Sequence, residues 1–125
     1  MDTNILAQAI IIKDEATWEV LKESAVYSPD LLFAEFGNVL MQYVRFRNYD
    51  LSHALVAFEI AKELVTEVLS WQNLFYLIQE KSVQHNLSFY DAIYLSLAIQ
   101  YKYPLFTRDK KLAQAAAYEN IEFEG

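Results

Sequence analysis

The sequence predicts an α/β domain built on a small parallel sheet. Three observations carry that expectation. Towards the end of the chain, short apolar runs alternate with a helix-forming segment: "PLFT" precedes "DKKLAQAAAY" and "IEFE" follows it. Strands spaced this way by helices pair in parallel, because each helix returns the chain to the start of the sheet. Gly and Pro occur only 2 times each while Ala, Leu and Glu are plentiful, so helix dominates. The hydrophobic fraction is 54%, enough for a buried core and too much for a disordered chain. At 125 residues a single domain spanning 1–125 is expected.

From about Asn4 to Ser24 the residues Leu6, Ile10, Trp18 and Leu21 fall at helical spacing, with the polar patch "KDEAT" interrupting them. "AVYSPD" reads as a short extended piece leading into a helix. Ser28 is its expected cap, and Pro29 fits the first helical position, where a missing N–H costs nothing. That helix is expected from about Asp30 to Phe46, with Leu31, Leu32, Phe36, Val39, Leu40, Tyr43 and Val44 as its buried stripe. A second long helix follows, from about Leu51 to Leu69, with Leu51, Leu55, Phe58, Leu64, Val65, Val68 and Leu69 facing inward. A third runs from about Gln72 to His85, and no strand is evident between Leu69 and Gln72. Ser88 caps the next helix, which carries Ala92, Leu95, Ala98 and Ile99; Pro104 biases Tyr103 away from helix and stops it. "PLFT" is then a short strand, Asp109 opens a short helix, and "IEFE" alternates as the last strand.

Composition narrows the function. The formal net charge is -7, whereas a protein that only grips phosphate backbones is usually basic. A carboxylate pocket that holds cations would itself contribute to that excess. Cysteine is absent, which excludes disulfides and thiolate metal sites and fits a reducing cytoplasm, the expected location. "ILAQAIII" is too short to span a bilayer and lacks a basic leader, so neither a membrane anchor nor a signal peptide is expected. His53 and His85 are far apart in sequence without a histidine–carboxylate motif, and His85 reads as a helix-end residue near the C-terminal dipole. There is no Gly-rich phosphate loop, no dinucleotide fingerprint and no serine elbow.

Four carboxylates remain. Glu35 lies four residues after Leu31 and four before Val39, on the apolar face of its helix. A charge there has to be paired, hydrated in a cleft or bound to metal. The structural alternative is a salt bridge with Arg45, Arg47 or Arg108. Asp91 stands three residues after Ser88, the spacing of a capping box. Asp109 directly precedes a lysine-led helix and equally suits a plain N-cap. Asp2 alone reads as solvated terminus, with Thr3 and Asn4 beside it to orient it, and Thr107 similarly precedes Asp109. Acids of this kind, if they converge, suit Mg²⁺ or Mn²⁺, which prefer oxygen ligands and can activate water at a phosphodiester. Arg108 and Lys110 flank Asp109 and would either steer phosphate or serve as solvated surface.

The stretches "DTNIL" at Asp2, "SPDLLFAEFGNVL" with Glu35, "LSFYDAIYLSLA" with Asp91 and "PLFTRDKKLAQAA" with Asp109 follow one another at intervals of 33, 56 and 18 residues. In content and spacing they resemble the PIN domain family, and within it the small VapC-type toxins. The resemblance covers nearly the whole chain. It implies a three-layer α/β/α sandwich with a small parallel sheet. It also implies an Mg²⁺- or Mn²⁺-dependent endoribonuclease with Asp2, Glu35, Asp91 and Asp109 as the acids around the metal. Thr3 or Asn4 would support the first acid and Thr107 the last. The expected partners are an RNA substrate, a cognate antitoxin protein and a second copy in a homodimer. Members of this family usually carry a short apolar strand before the first aspartate, whereas here Met1 alone precedes Asp2, so the first strand is expected to be shortened or missing. The rival readings are a catalytically inactive binding protein of the same fold, and a DNA nuclease using the same acids.

Overall fold

The computed structural model describes residues 3–124. They form two compact units, Thr3–Val68 and the segment from Leu69 onward.

The first unit opens with helix α1 (Thr3–Leu6), which continues as a wider π-type turn over Ala7–Ile11. The predicted interruption at "KDEAT" is real. Ile12 N–H still bonds back to the Ala7 carbonyl, then Lys13 takes a left-handed φ of 62° and the chain restarts as α2 (Glu15–Glu23). Residues Tyr27–Pro29 form strand β1, followed directly by α3 (Leu31–Phe46) and α4 (Leu51–Leu64). Strand β2 (Glu67–Leu69) pairs with β1.

Two boundaries differ from the sequence expectation, and one interaction explains both. The Thr66 amide donates to the Val26 carbonyl at 2.7 Å, and the Val26 amide donates to the Thr66 hydroxyl at 2.9 Å. This reciprocal pair starts a sheet. It keeps Tyr27–Pro29 extended, so Ser28 is a buried strand residue whose hydroxyl donates to the Pro29 carbonyl, not a helix cap. It likewise ends α4 at Leu64 rather than Leu69, in a segment whose β-branched Val65, Thr66 and Val68 favour extended backbone.

The packing of α3 is as predicted at Leu32, Phe36 and Leu40, all buried. That of α4 is not. Its buried face is Ala54, Ala57 and Ala61, while the expected Leu51 and Leu55 are exposed. Small residues let two helices approach closely, and α3 meets α4 with Gly37 beside the Phe58 ring. A Cβ placed on Gly37 would sit 3.6 Å from that ring, an ordinary contact. Phe33 and Phe58 meet with ring centroids 6.2 Å apart.

The second unit begins with a 3₁₀ turn (Gln72–Leu74) and α5 (Phe75–His85), then α6 (Phe89–Tyr101), β3 (Leu105–Phe106), α7 (Lys110–Tyr118) and β4 (Phe123–Glu124). Strands β3 and β4 are parallel, with Leu105 opposite Phe123 and Phe106 opposite Glu124. The predicted strand–helix–strand unit is therefore present, with α7 as its connection. Helix α6 is buried continuously from Ala92 to Ala98, as expected for a helix apolar on every side.

The helices of this unit close with left-handed residues that are not glycine. Asn86, Lys102 and Asn120 have φ of 52°, 58° and 59°. In each case the next amide bonds back five residues: Leu87 to Ser82, Tyr103 to Ala98 and Ile121 to Ala116. That is the Schellman closure, built in a glycine-poor chain mainly from Asn, the residue that best tolerates this region after Gly.

The alanine face of α4 is a testable constraint. Ala61 is 0% exposed, so Ala61→Leu should force α3 and α4 apart and cost about 1–3 kcal/mol. Leu55, 62% exposed, should tolerate Leu55→Ala within about 0.5 kcal/mol. Urea denaturation of the two variants checks the contrast, and equal losses would reject the assigned packing.

Candidate active site

Asp91 and Asp109 are placed by local caps, and Glu35 by its position on a helix. Glu35 lies on α3 between the buried Leu32 and Phe36 and is itself half-buried. The Thr3 hydroxyl, at the start of α1, donates to its Oε1 at 3.4 Å. Thr3 thus serves Glu35, whereas the sequence assigned it to Asp2. Of the arginines considered as ion-pair partners, Arg47 lies over the Tyr43 ring, 4.9 Å from its centroid, and Arg45 is exposed. Asp2 lies outside the described residues, as does the side chain of Asn4.

Asp91 occupies the first turn of α6. Its amide donates to the Ser88 hydroxyl at 3.1 Å, so the predicted cap is made by the serine. Asp91 is half-buried and stands one residue ahead of seven buried positions, where a charge can still reach water. Asp109 is the N-cap of α7, and its Oδ1 accepts from the Leu112 amide at 3.0 Å. Thr107 is buried just behind it, and its hydroxyl accepts from the Asp109 amide at 3.0 Å. The threonine therefore supports this aspartate through its backbone. A carboxylate has about four lone-pair sites, so one capping bond leaves Asp109 able to accept others.

Asp91 and Asp109 both belong to the second unit and Glu35 to the first. Among the described residues, no three His, Cys, Asp or Glu side chains are grouped closely enough to hold a metal ion. Among the same residues, no helix is long and apolar enough to cross a membrane.

The PIN domain family matches residues 1–118. This chain belongs to the PIN domain family. It is 32% identical over 121 residues to the protein called Ribonuclease VapC1 in Mycobacterium tuberculosis, in both strain CDC 1551 / Oshkosh and strain ATCC 25618 / H37Rv. That similarity covers 87% of this chain and 77% of the relative. The PIN domain is an α/β fold, as the sequence predicts, and the parallel β3–β4 pair is part of it here.

The sequence reading missed one feature of this PIN domain. The helix that Asp109 opens is tied down at its other end by Glu119, which directly follows α7. Glu119 Oε2 lies 3.0 Å from Lys81 Nζ and 2.8 Å from His85 Nε2, both on α5. Lys81 Nζ also donates to Gln84 Oε1 at 3.0 Å. All three ionisable side chains are largely buried. His85 does end its helix as predicted, but its partner comes from α7. The only advance signal was a lysine and a histidine four residues apart on one helical face.

Burial acts to raise the Glu119 pKa, but the hydrogen bonds from His85 and Lys81, with their charges, outweigh it and hold the carboxyl below its ordinary value of 4.5. A carboxylate with a depressed folded pKa contributes stability above the unfolded value, and loses it as pH falls through the folded one. The protein should therefore lose this contribution progressively below about pH 4.5. Glu119→Gln leaves the largely buried Lys81 with only the longer 3.7 Å carboxylate contact to the exposed Glu80 and should cost about 2–3 kcal/mol at neutral pH. It should also flatten this part of the acid limb. Thermal melts of both proteins from neutral to acid pH measure both effects, and parallel acid limbs would contradict the pairing.

Proposed function

We propose that this protein is a divalent-metal-dependent endoribonuclease and the toxin member of a toxin–antitoxin pair, acting as one PIN domain over residues 1–125. The observation that carries the reading is the alignment of the chain, along 87% of its length, with a protein named as a ribonuclease. The candidate acids give it chemical content.

The donor set fits Mg²⁺ or Mn²⁺. Asp2, Glu35, Asp91 and Asp109 supply hard carboxylate oxygens, and the chain has no cysteine to favour a softer ion. When bound, such an ion polarises the scissile phosphodiester and lowers the pKa of water. The protein's own task is to hold its acids ionised and oriented. Thr3 fixes an oxygen of Glu35, Ser88 secures the backbone that carries Asp91, and Thr107 secures the backbone of Asp109. Arg108 and Lys110, exposed on either side of Asp109, would draw the phosphate against an otherwise acidic surface.

The proposed protein partners are an antitoxin and a second copy of this chain. Leu51, Leu55 and Val56 on α4, together with Phe46 at the end of α3, expose apolar surface of the kind such partners cover.

The decisive assay incubates the purified protein with RNA and with single-stranded DNA in Mg²⁺, Mn²⁺ or chelator. RNA should be cut internally, and chelator should stop the cutting. Cleavage that survives exhaustive chelation would defeat the metal role, and equal cutting of DNA would favour a DNA nuclease. Asp91→Asn keeps the size of the side chain and the Ser88 bond to its amide but removes the charge. Its activity should fall about 10²-fold or more, with stability within about 0.5 kcal/mol of the parent. Near-normal cleavage by the folded variant would remove Asp91 from the site.

A further inference from the structure

Helix α7 has little of its own to key it in place. Its buried face is Leu112, Ala115 and Ala116, and one leucine with two alanines offers few ridges to fix rotation or axial position. The firm attachment is polar. Glu119 Oε2, one residue past the helix, lies 3.0 Å from Lys81 Nζ and 2.8 Å from His85 Nε2, groups one turn apart on α5. An ionised carboxylate only accepts, so both nitrogens donate to it. Two bonds that reach one oxygen from two points along α5 define how α7 lies against that helix. The His85 ring also meets Tyr118, the last residue of α7, edge to face with centroids 5.3 Å apart. Helix α5 in turn leads directly to the other acid of this unit. Asn86 closes it in the left-handed region, the Leu87 amide donates to the Ser82 carbonyl at 3.0 Å, and the Ser82 hydroxyl donates to the Leu87 carbonyl at 2.7 Å. The next residue is Ser88, the cap that secures Asp91. The corner between α5 and α6 is thus held through both polar groups of Leu87.

We infer that Glu119, gripped by Lys81 and His85, is a positioning residue that keeps Asp109 in a fixed place relative to Asp91. The inference deepens the ribonuclease reading and rests on it for the role of the two acids. None of the three cluster residues is assigned to metal or RNA; they act through the helices that carry the acids. Helix α7 is a stiff rod of about 13 Å, so a small shift at Glu119 is carried to Asp109 at its other end. A buried ion pair is a poor way to gain stability, since apolar side chains of similar volume often do as well or better. What the charged cluster supplies, and apolar contact does not, is direction: each bond holds only over a narrow range of distance and angle. A site that needs two carboxylates held at one spacing makes use of that property.

The test reads the coupling with and without metal. Full-length Glu119→Gln is compared with a double variant, Lys81→Met with Glu119→Met, which fills the same space with apolar side chains and keeps the unit folded. In chelator, hydrogen exchange is followed at the Leu112 amide, the donor to Asp109 Oδ1. It should quicken in both variants by about fivefold more than the amides inside α6, which report opening of the whole unit. In calorimetric titration with Mn²⁺ both variants should bind about fivefold more weakly, and kcat on RNA should fall by a similar factor with KM within about twofold. His85→Gln keeps a donor at the place of Nε2 and should retain the parental values, whereas His85→Ala should not. Parental exchange at Leu112 in both variants, or parental Mn²⁺ affinity and kcat in the folded double variant, would overturn the positioning role. Faster exchange at Leu112 in a protein whose parent neither binds Mn²⁺ nor cuts RNA would instead defeat the nuclease reading and leave the coupling of the helices standing.

Discussion

A charge cannot be carried into a helix that is buried on every side. Helix α6 is such a helix, with Ala92 to Ala98 all withdrawn from solvent. Its one ionisable carboxylate, Asp91, therefore sits in its first turn, where water, the Ser88 bond to the backbone and the positive end of the helix dipole coincide. Helix α7 is amphipathic and carries Lys110 and Lys111 in the open, and Asp109 stands as its N-cap ahead of the buried Leu112, Ala115 and Ala116. At such a position, capping and chemistry are not alternatives. Asp109 spends one oxygen on the Leu112 amide, and that bond is what fixes the direction of the other. A carboxylate oriented this way loses little freedom on meeting a ligand, which is the usual source of tight and selective sites.

The first unit reaches order by a different route. Alanines 54, 57 and 61 allow α4 to lie close to α3, and the large residues of α4 are consequently turned outward. The unit thus gains helix contact at the expense of leaving Leu51, Leu55 and Val56 to solvent. A helix with small residues inside and leucines outside reverses the ordinary amphipathic pattern.

That reversal marks where the sequence was legible and where it was not. Periodicity located α3, whose Leu32, Phe36 and Leu40 face inward, while caps and breakers bounded α6 and α7, and the parallel strand pair was visible in "PLFT" and "IEFE". The same rule misread α4, since a stripe of leucines carries no label saying which surface it covers. Strand β1 was read as the extended piece in "AVYSPD" but without its partner, and β2 was hidden. Each is three residues long, and the bond that pairs them, between Val26 and Thr66, joins positions 40 residues apart. No local pattern reports a contact at that separation. The acids divide similarly. Ser88 with Asp91 and Thr107 with Asp109 are short-range motifs and could be read directly, apart from which group of Asp109 the threonine holds. The bond from Thr3 to Glu35 spans 32 residues and could not.

Positive charge is scarce on this chain. The chain has 10 Lys and Arg against 17 Asp and Glu. Several of those cations are already engaged within the protein: Lys81 by Glu119, Lys62 by Glu59, and Arg47 by the Tyr43 ring. Those that flank a candidate acid are Arg108, Lys110 and Lys111, exposed around the start of α7. Lys13, Lys22, Arg45 and Lys102 are exposed elsewhere on the chain, so the cations are few, dispersed and outnumbered by carboxylates. A net negative field of that kind disfavours adhesion along a phosphate backbone, and it makes any contact with one depend on the few places where a cation stands close to the site.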